Sequence, residues 1–86
     1  MVEKIITMFG TWWCGDCSQA RRYFDRHHID YKWVDIDNDE IGEEFVLTTN
    51  SGMRSVPTIL FDDGSILVEP TDAELQHKLE TVFPTN

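Results

Sequence analysis

The sequence predicts an α/β domain with element order βαβαββα, a four-stranded mixed sheet flanked by helices. Three observations predict it. Two strand-like runs, 3–9 and 31–37, are separated by one helical pattern, the arrangement of a parallel pair with a right-handed crossover. Two shorter runs, 57–61 and 66–68, flank Asp62-Asp63-Gly64-Ser65, a hairpin signal that makes them antiparallel. Thr71-Asp72-Ala73-Glu74 is a capping box, which opens a final helix.

The first strand, Glu3 to Phe9, is rich in β-branched and aromatic residues and reads as buried. Gly10-Thr11-Trp12-Trp13 turns the chain toward a helix running from Gly15 to about His28. Ala20, Tyr23, Phe24 and His27 fall at i, i+3, i+4 and i+7 and make its inner face. Tyr31 to Asp37 alternates apolar and polar residues, the period of a strand. Asn38 or Asp39 is the N-cap of a second helix running to about Thr49, with Ile41, Phe45 and Thr48 as its inner face and Gly52 as its end. Pro57 opens the third strand, and Ile66-Leu67-Val68 is the fourth. Leu75, Leu79, Val82 and Phe83 are the buried stripe of the last helix, which Pro84 ends.

The chain has 86 residues, enough for one small domain with a single core. With 3 Trp, 5 Phe and 2 Tyr, that core forms without help from disulfides. Sixteen acidic against 7 basic residues give a net charge of −9, which excludes nucleic acid as a partner because the acids repel phosphate. No stretch reaches transmembrane length, so no membrane partner is expected. Met1-Val2-Glu3-Lys4 lacks the basic and apolar regions of a signal peptide, so a cytoplasmic location is expected. Structural disulfides are rare there, and cysteine pairs are catalytic or metal-binding.

The chemistry centres on Trp13-Cys14-Gly15-Asp16-Cys17, placed between a strand and a helix. These are the only two cysteines, so a redox pair takes precedence over half of a metal site. At the helix start, unpaired backbone N–H groups and the helix dipole favour negative charge on the Cys14 sulfur. A thiolate is the species that attacks disulfides, which makes Cys14 the expected nucleophile. Cys17, one turn further on, is expected to be more buried. His27 and His28 are the nearest additional metal donors, but adjacent helical residues point in different directions and a closed zinc site wants four ligands. No metal site is expected. Arg21, Arg22 and Arg26 are expected to pair with acids such as Asp25. The six acids from Asp35 to Glu44 are expected to form a solvated edge.

The strand order with a C-x-x-C motif at the end of the first strand is that of the thioredoxin fold. Over essentially its whole length the chain resembles the glutaredoxins, on Cys14-Gly15-Asp16-Cys17, the Tyr31 to Asp37 strand, Gly52 to Thr58 and the capped last helix. Among them it is most similar to the mycoredoxins. That likeness lies in Asn50-Ser51-Gly52, Arg54-Ser55-Val56-Pro57-Thr58, Asp63-Gly64-Ser65 and Pro70 to Glu74. It departs from glutathione-using members in having Gly15-Asp16 between the cysteines, where Pro-Tyr is usual. It also has Val68-Glu69-Pro70 where a Gly-Gly pair lets the backbone approach glutathione.

The resemblance implies a thiol–disulfide oxidoreductase acting on oxidised or thiolated proteins. It would hold no tightly bound cofactor and would use a low-molecular-weight thiol, mycothiol or glutathione, as cosubstrate. It implies catalytic roles for Cys14 and Cys17, with Cys17 either resolving the mixed disulfide or standing by. It implies a cis bond before Pro57, with the Val56 backbone facing the bound disulfide partner. Trp13, Arg54, Thr71 and Asp72 complete the expected substrate-binding set. Arg54 is either a ligand for a carboxylate or a solvated arginine, and Thr71 and Asp72 either contact the thiol or only cap their helix. Asp16 either tunes Cys14, since a carboxylate beside the sulfur disfavours negative charge there, or is an ordinary first-turn acid. A monomer served by the small thiol's reductase is expected. The alternatives are a dithiol electron donor reduced by thioredoxin reductase, for instance for ribonucleotide reductase, and an iron–sulfur or zinc carrier, against which Cys17 speaks.

Overall fold

The computed structural model describes residues 5–83. Among these residues four strands form one mixed sheet: β1 (Thr7–Gly10), β2 (Lys32–Asp35), β3 (Thr58–Leu60) and β4 (Ile66–Val68), in the order β2-β1-β3-β4. β1 runs parallel to β2, with Met8 opposite Trp33, and antiparallel to β3, with Met8 opposite Ile59. β3 and β4 are antiparallel. Three helices, α1 (Gly15–Arg26), α2 (Glu40–Thr49) and α3 (Asp72–Val82), cover the sheet. The predicted element order and mixed sheet are those observed.

Side chains alternate across β1, so the sheet feeds two cores. Ile6, Met8, Ile59 and Phe61 pack with Ala20, Tyr23 and Phe24 of α1 and with Leu75, Leu79 and Val82 of α3. Phe9, Ile36 and Val56 pack with Val46 of α2, and Phe9 stacks on Phe45 with ring centroids 4.6 Å apart. Lys78 ties the hairpin to α3: its Nζ lies 2.8 Å from the Asp63 carboxylate and over the Phe61 ring. The capping box of α3 forms as predicted, with Thr71 Oγ1 accepting from Glu74 N–H and Glu74 Oε1 accepting from Thr71 N–H.

Several boundaries and faces differ from expectation. Glu3, Lys4 and Pro84 lie outside the described residues, and the β1 ladder gains Gly10, which pairs with Asp35. α1 stops at Arg26 because His28 adopts φ 56°. His28 N–H then bonds Asp25 C=O and Ile29 N–H bonds Phe24 C=O, closing the helix in a Schellman motif. His27 therefore sits at the cap and is exposed. β2 is shorter than 31–37, because the Asp35 carboxylate accepts from Asp37 N–H and Asn38 Nδ2 and turns the chain away. β3 loses Pro57 and Phe61 to the flanking turns.

The inner face of α2 keeps Phe45, which packs on the core as predicted, but is otherwise centred one residue later. Gly42 and Val46 are buried, whereas Ile41 is 82 % exposed and Thr48 is exposed. The reason is close approach: a Cβ on Gly42 would lie 2.7 Å from Val34 Cγ1, so the glycine is what faces the sheet. Asp39 is the N-cap, accepting from Gly42 N–H. Phe83 is 41 % exposed at the end of α3 and not part of the buried stripe.

Gly10 is the tightest point of the fold. A Cβ there would lie 2.7 Å from Cys17 Sγ and 2.7 Å from the Trp33 ring. Gly10→Ala is expected to destabilise the reduced protein by about 1–3 kcal/mol, the usual cost of overpacking. A urea midpoint equal to that of the wild type would refute this close packing.

Candidate active site

Cys14 is the N-cap of α1, with extended backbone (φ −84°, ψ 123°). Its carbonyl accepts from Ser18 N–H and its sulfur accepts from Cys17 N–H at 3.4 Å. A cysteine thus occupies a place usually taken by Ser, Thr, Asp or Asn, and its sulfur meets a free end of the helix. Cys14 is half-buried and Cys17 fully buried, and both are free thiols.

Two features hold the sulfurs in place. Beneath Cys17 the Gly10 backbone approaches with nothing but hydrogens between. Opposite Cys14 the Val56–Pro57 peptide bond is cis, as the resemblance implies, and the Cys14 thiol donates to Val56 C=O at 3.7 Å. The loop before this proline is anchored from below. Buried Thr58 donates through Oγ1 to Ser55 C=O, and Asn50 Nδ2 donates both to Thr58 Oγ1 and to Val46 C=O.

Burial pushes the Cys17 thiol up to about 12; a hydrogen bond from the Thr11 backbone opposes this, and the Cys14 sulfur reinforces it. Arg21, one turn beyond Cys17, works weakly the other way. Its guanidinium is not paired with Asp25 as expected but lies 4.7 Å from the ring centroids of Trp12 and Trp33. Trp12 and Trp33 themselves pack at 4.9 Å. Trp12 and Trp13 remain 60 % and 72 % exposed, so both flank the motif on the surface and neither is a core residue.

The other expected site residues fall into two groups. Trp13 Nε1 donates to Asp37 Oδ2 at 2.9 Å, the second oxygen of Asp37 binds Arg54 Nη2, and Arg54 Nε binds Glu43 Oε2 at 2.8 Å. Asp37 thus links Trp13, the neighbour of Cys14, to Arg54, while Val56 meets the Cys14 sulfur directly. Thr71 and Asp72 start α3, where Asp72 Oδ1 accepts from Gln19 Nε2 of α1 at 3.1 Å. Asp37 and Glu43 did not stand out in the sequence, because they belong to an acidic run that reads as solvated surface. Far from being a plain edge, that run caps α2 through Asp39, ends β2 through Asp35 and binds Arg54. Gly10 was legible only as a turn residue. Among the described residues no three His, Cys, Asp or Glu side chains are grouped to hold a metal ion.

This arrangement defines a class: a thioredoxin-fold protein with an accessible sulfur at a helix N-terminus, a buried second thiol and a facing cis-proline. Solved structures agree on the fold. The thioredoxin-like protein BC3987 superposes with a TM-score of 0.72 at 19 % identity, covering 84 % of this chain and 96 % of that one. The holo form of glutaredoxin C1 from Populus tremula x tremuloides gives 0.66 at 20 % identity, covering 92 % and 79 %. The glutaredoxin family model matches residues 6–66, and the chain belongs to the glutaredoxin family. A Mycobacterium tuberculosis protein named as a candidate glutaredoxin is 38 % identical over 79 residues, 92 % of this chain and 94 % of the relative. Mycoredoxin 1 of Corynebacterium glutamicum is 34 % identical over 77 residues, 90 % and 95 % respectively. Members of this family are thiol–disulfide oxidoreductases that work with low-molecular-weight thiols and protein disulfides, and this chain is one of them.

The Cys17 thiol carries a stability signature. Its folded value, about 12, lies above the ordinary 9.0, so the folded state keeps a proton that the unfolded state loses first. Stability of the reduced protein is expected to be full below pH 9 and to fall as pH rises toward 12. Chemical denaturation across that range checks it; a Cys17→Ala variant should show a shallower decline, and an identical decline would remove Cys17 as the cause.

Proposed function

We propose that the protein removes a small thiol from thiolated proteins by a one-cysteine mechanism, with Cys14 as nucleophile and mycothiol as the small thiol. The observation that carries the mechanism is the contrast between the cysteines: Cys14 is half-buried at the helix N-cap, and Cys17 is fully buried and retains its proton. The choice of mycothiol rests on the likeness to mycoredoxin 1 and on Gly15-Asp16 and Val68-Glu69-Pro70 standing where glutathione-using members differ.

Cys14 thiolate attacks the small thiol's sulfur in the mixed disulfide. A bond forms between that sulfur and Cys14, the bond to the target protein breaks, and the target's thiolate leaves and takes a proton. A second molecule of the small thiol, as thiolate, attacks the same sulfur. The products are the symmetrical disulfide and free Cys14, and a reductase specific for that disulfide recycles it. Cys17 would have to ionise against its burial to compete for the resolving step. Trp13, Val56 and Pro57 provide the surface against which the disulfide lies, with the Val56 carbonyl beside the reacting sulfur, and Thr71 and Asp72 border it on α3. Arg54 shapes the thiol-binding side. The chain acts as a single domain, as a monomer and in the cytoplasm.

NADPH-coupled reduction of a mycothiol mixed disulfide tests this. Cys14→Ser is expected to abolish turnover and Cys17→Ser to retain at least about half of it, since only the resolving side path is lost. Loss of turnover in Cys17→Ser, with wild type running on thioredoxin reductase, would replace this reading with a dithiol electron donor.

A further inference from the structure

Arg54 lies two residues before Val56, whose carbonyl accepts from the Cys14 thiol, and is joined through Asp37 to Trp13, the residue before Cys14. Its guanidinium is already engaged on two sides. Nε holds Glu43, Nη2 holds Asp37, and the second Asp37 oxygen is fixed by Trp13. One positive charge therefore faces two negative ones. The side chains of Arg54, Asp37 and Glu43 are 34 %, 38 % and 39 % exposed, so a ligand meets the whole cluster and not the arginine alone. Arg54, and secondarily Trp13, hold the Asp37 carboxyl below its ordinary value, so it is ionised at neutral pH.

We propose that Asp37 and Glu43 act through Arg54 as a specificity device, admitting neutral, hydroxyl-rich thiols to Cys14 and disfavouring thiols that carry free carboxylates. The proposal rests on the reading of Cys14 as the site of small-thiol transfer. A ligand carboxylate reaching Arg54 must displace a protein carboxylate or lie beside two of them, and like charges placed together oppose binding. The same oxygens keep unused lone pairs and accept hydrogen bonds from ligand hydroxyls. Repulsion of one ligand class and attraction of the other come from the same two side chains. Both are specificity-determining residues that meet the ligand at Arg54 and take no part in the exchange at sulfur.

The test isolates the carboxylates from the rest of the ligand. A reporter peptide is disulfide-linked either to glutathione or to glutathione diethyl ester, in which both carboxylates are blocked. Single-turnover transfer to Cys14 of the full chain is followed by mass spectrometry. Wild type is expected to take the ester faster by about 2- to 5-fold, the scale of an exposed charge interaction. Asp37→Asn with Glu43→Gln should bring the ratio toward one, whereas Asp25→Asn with Glu80→Gln, an equal charge change on α1 and α3, should keep it. A wild-type ratio near one overturns the proposal while leaving thiol transfer intact, and so does a control pair that lowers the ratio as much as the test pair. If no thiol is transferred from either probe or from a mycothiol mixed disulfide, the proposed function falls and this inference with it. Should the double variant fail to fold, Glu43→Gln alone must lower the ratio, and the wild-type ratio stands without any variant.

Discussion

The contact between the Cys17 sulfur and the bare backbone of Gly10 is the constraint on which the site depends. Gly10 ends β1, and only a residue without a side chain lets the first turn of α1 settle onto the sheet there. Cys17 belongs to α1, yet it joins the core that packs under α2, with Phe9, Ile36, Val46 and Val56. The helix N-terminus is thereby held at the end of the central strand, and Cys14, three residues earlier, is left at the surface with its sulfur on the cap. Val56 shares that core, so the cis-proline loop is brought to the same place.

The two thiols are separated by environment, although one turn of helix links them. Cys14 meets a backbone donor and a carbonyl at the edge of solvent. Cys17 is buried in the core with Phe9, Ile36, Val46 and Val56, and burial makes its charged form expensive. A single motif thus provides one sulfur suited to exchange and one suited to remain a thiol. Arg21, laid across Trp12 and Trp33, is the cation nearest in sequence on the helix and partly offsets that burial.

Acidity, which in composition alone indicates only solubility, has local work near the site. Asp35 ends β2, Asp39 starts α2, and Asp37 and Glu43 converge on Arg54. The turn at Asp35 swings Asp37 back toward Trp13, and α2 brings Glu43 to the opposite side of the arginine. A site that reads in sequence as offering a free cation therefore presents a compensated one.

The sequence by itself determined the element order, the hairpin at Gly64, the capping box at Thr71 and the placement of C-x-x-C between strand and helix. These depend on short-range spacing and on backbone preferences of neighbouring residues. It identified Cys14 and Cys17 for the same reason. Only the tertiary structure decided which face of α2 is buried, because Gly42 there answers to Val34 and not to its own helix. The end of α1 at Arg26 and the exposure of His27 follow from His28 entering the left-handed region, which no glycine or proline there announces. The partners of Arg54 and the stacking of Arg21 likewise join residues from separate elements. A charge's partner is set by which surfaces the packed elements bring together, and no local periodicity records that.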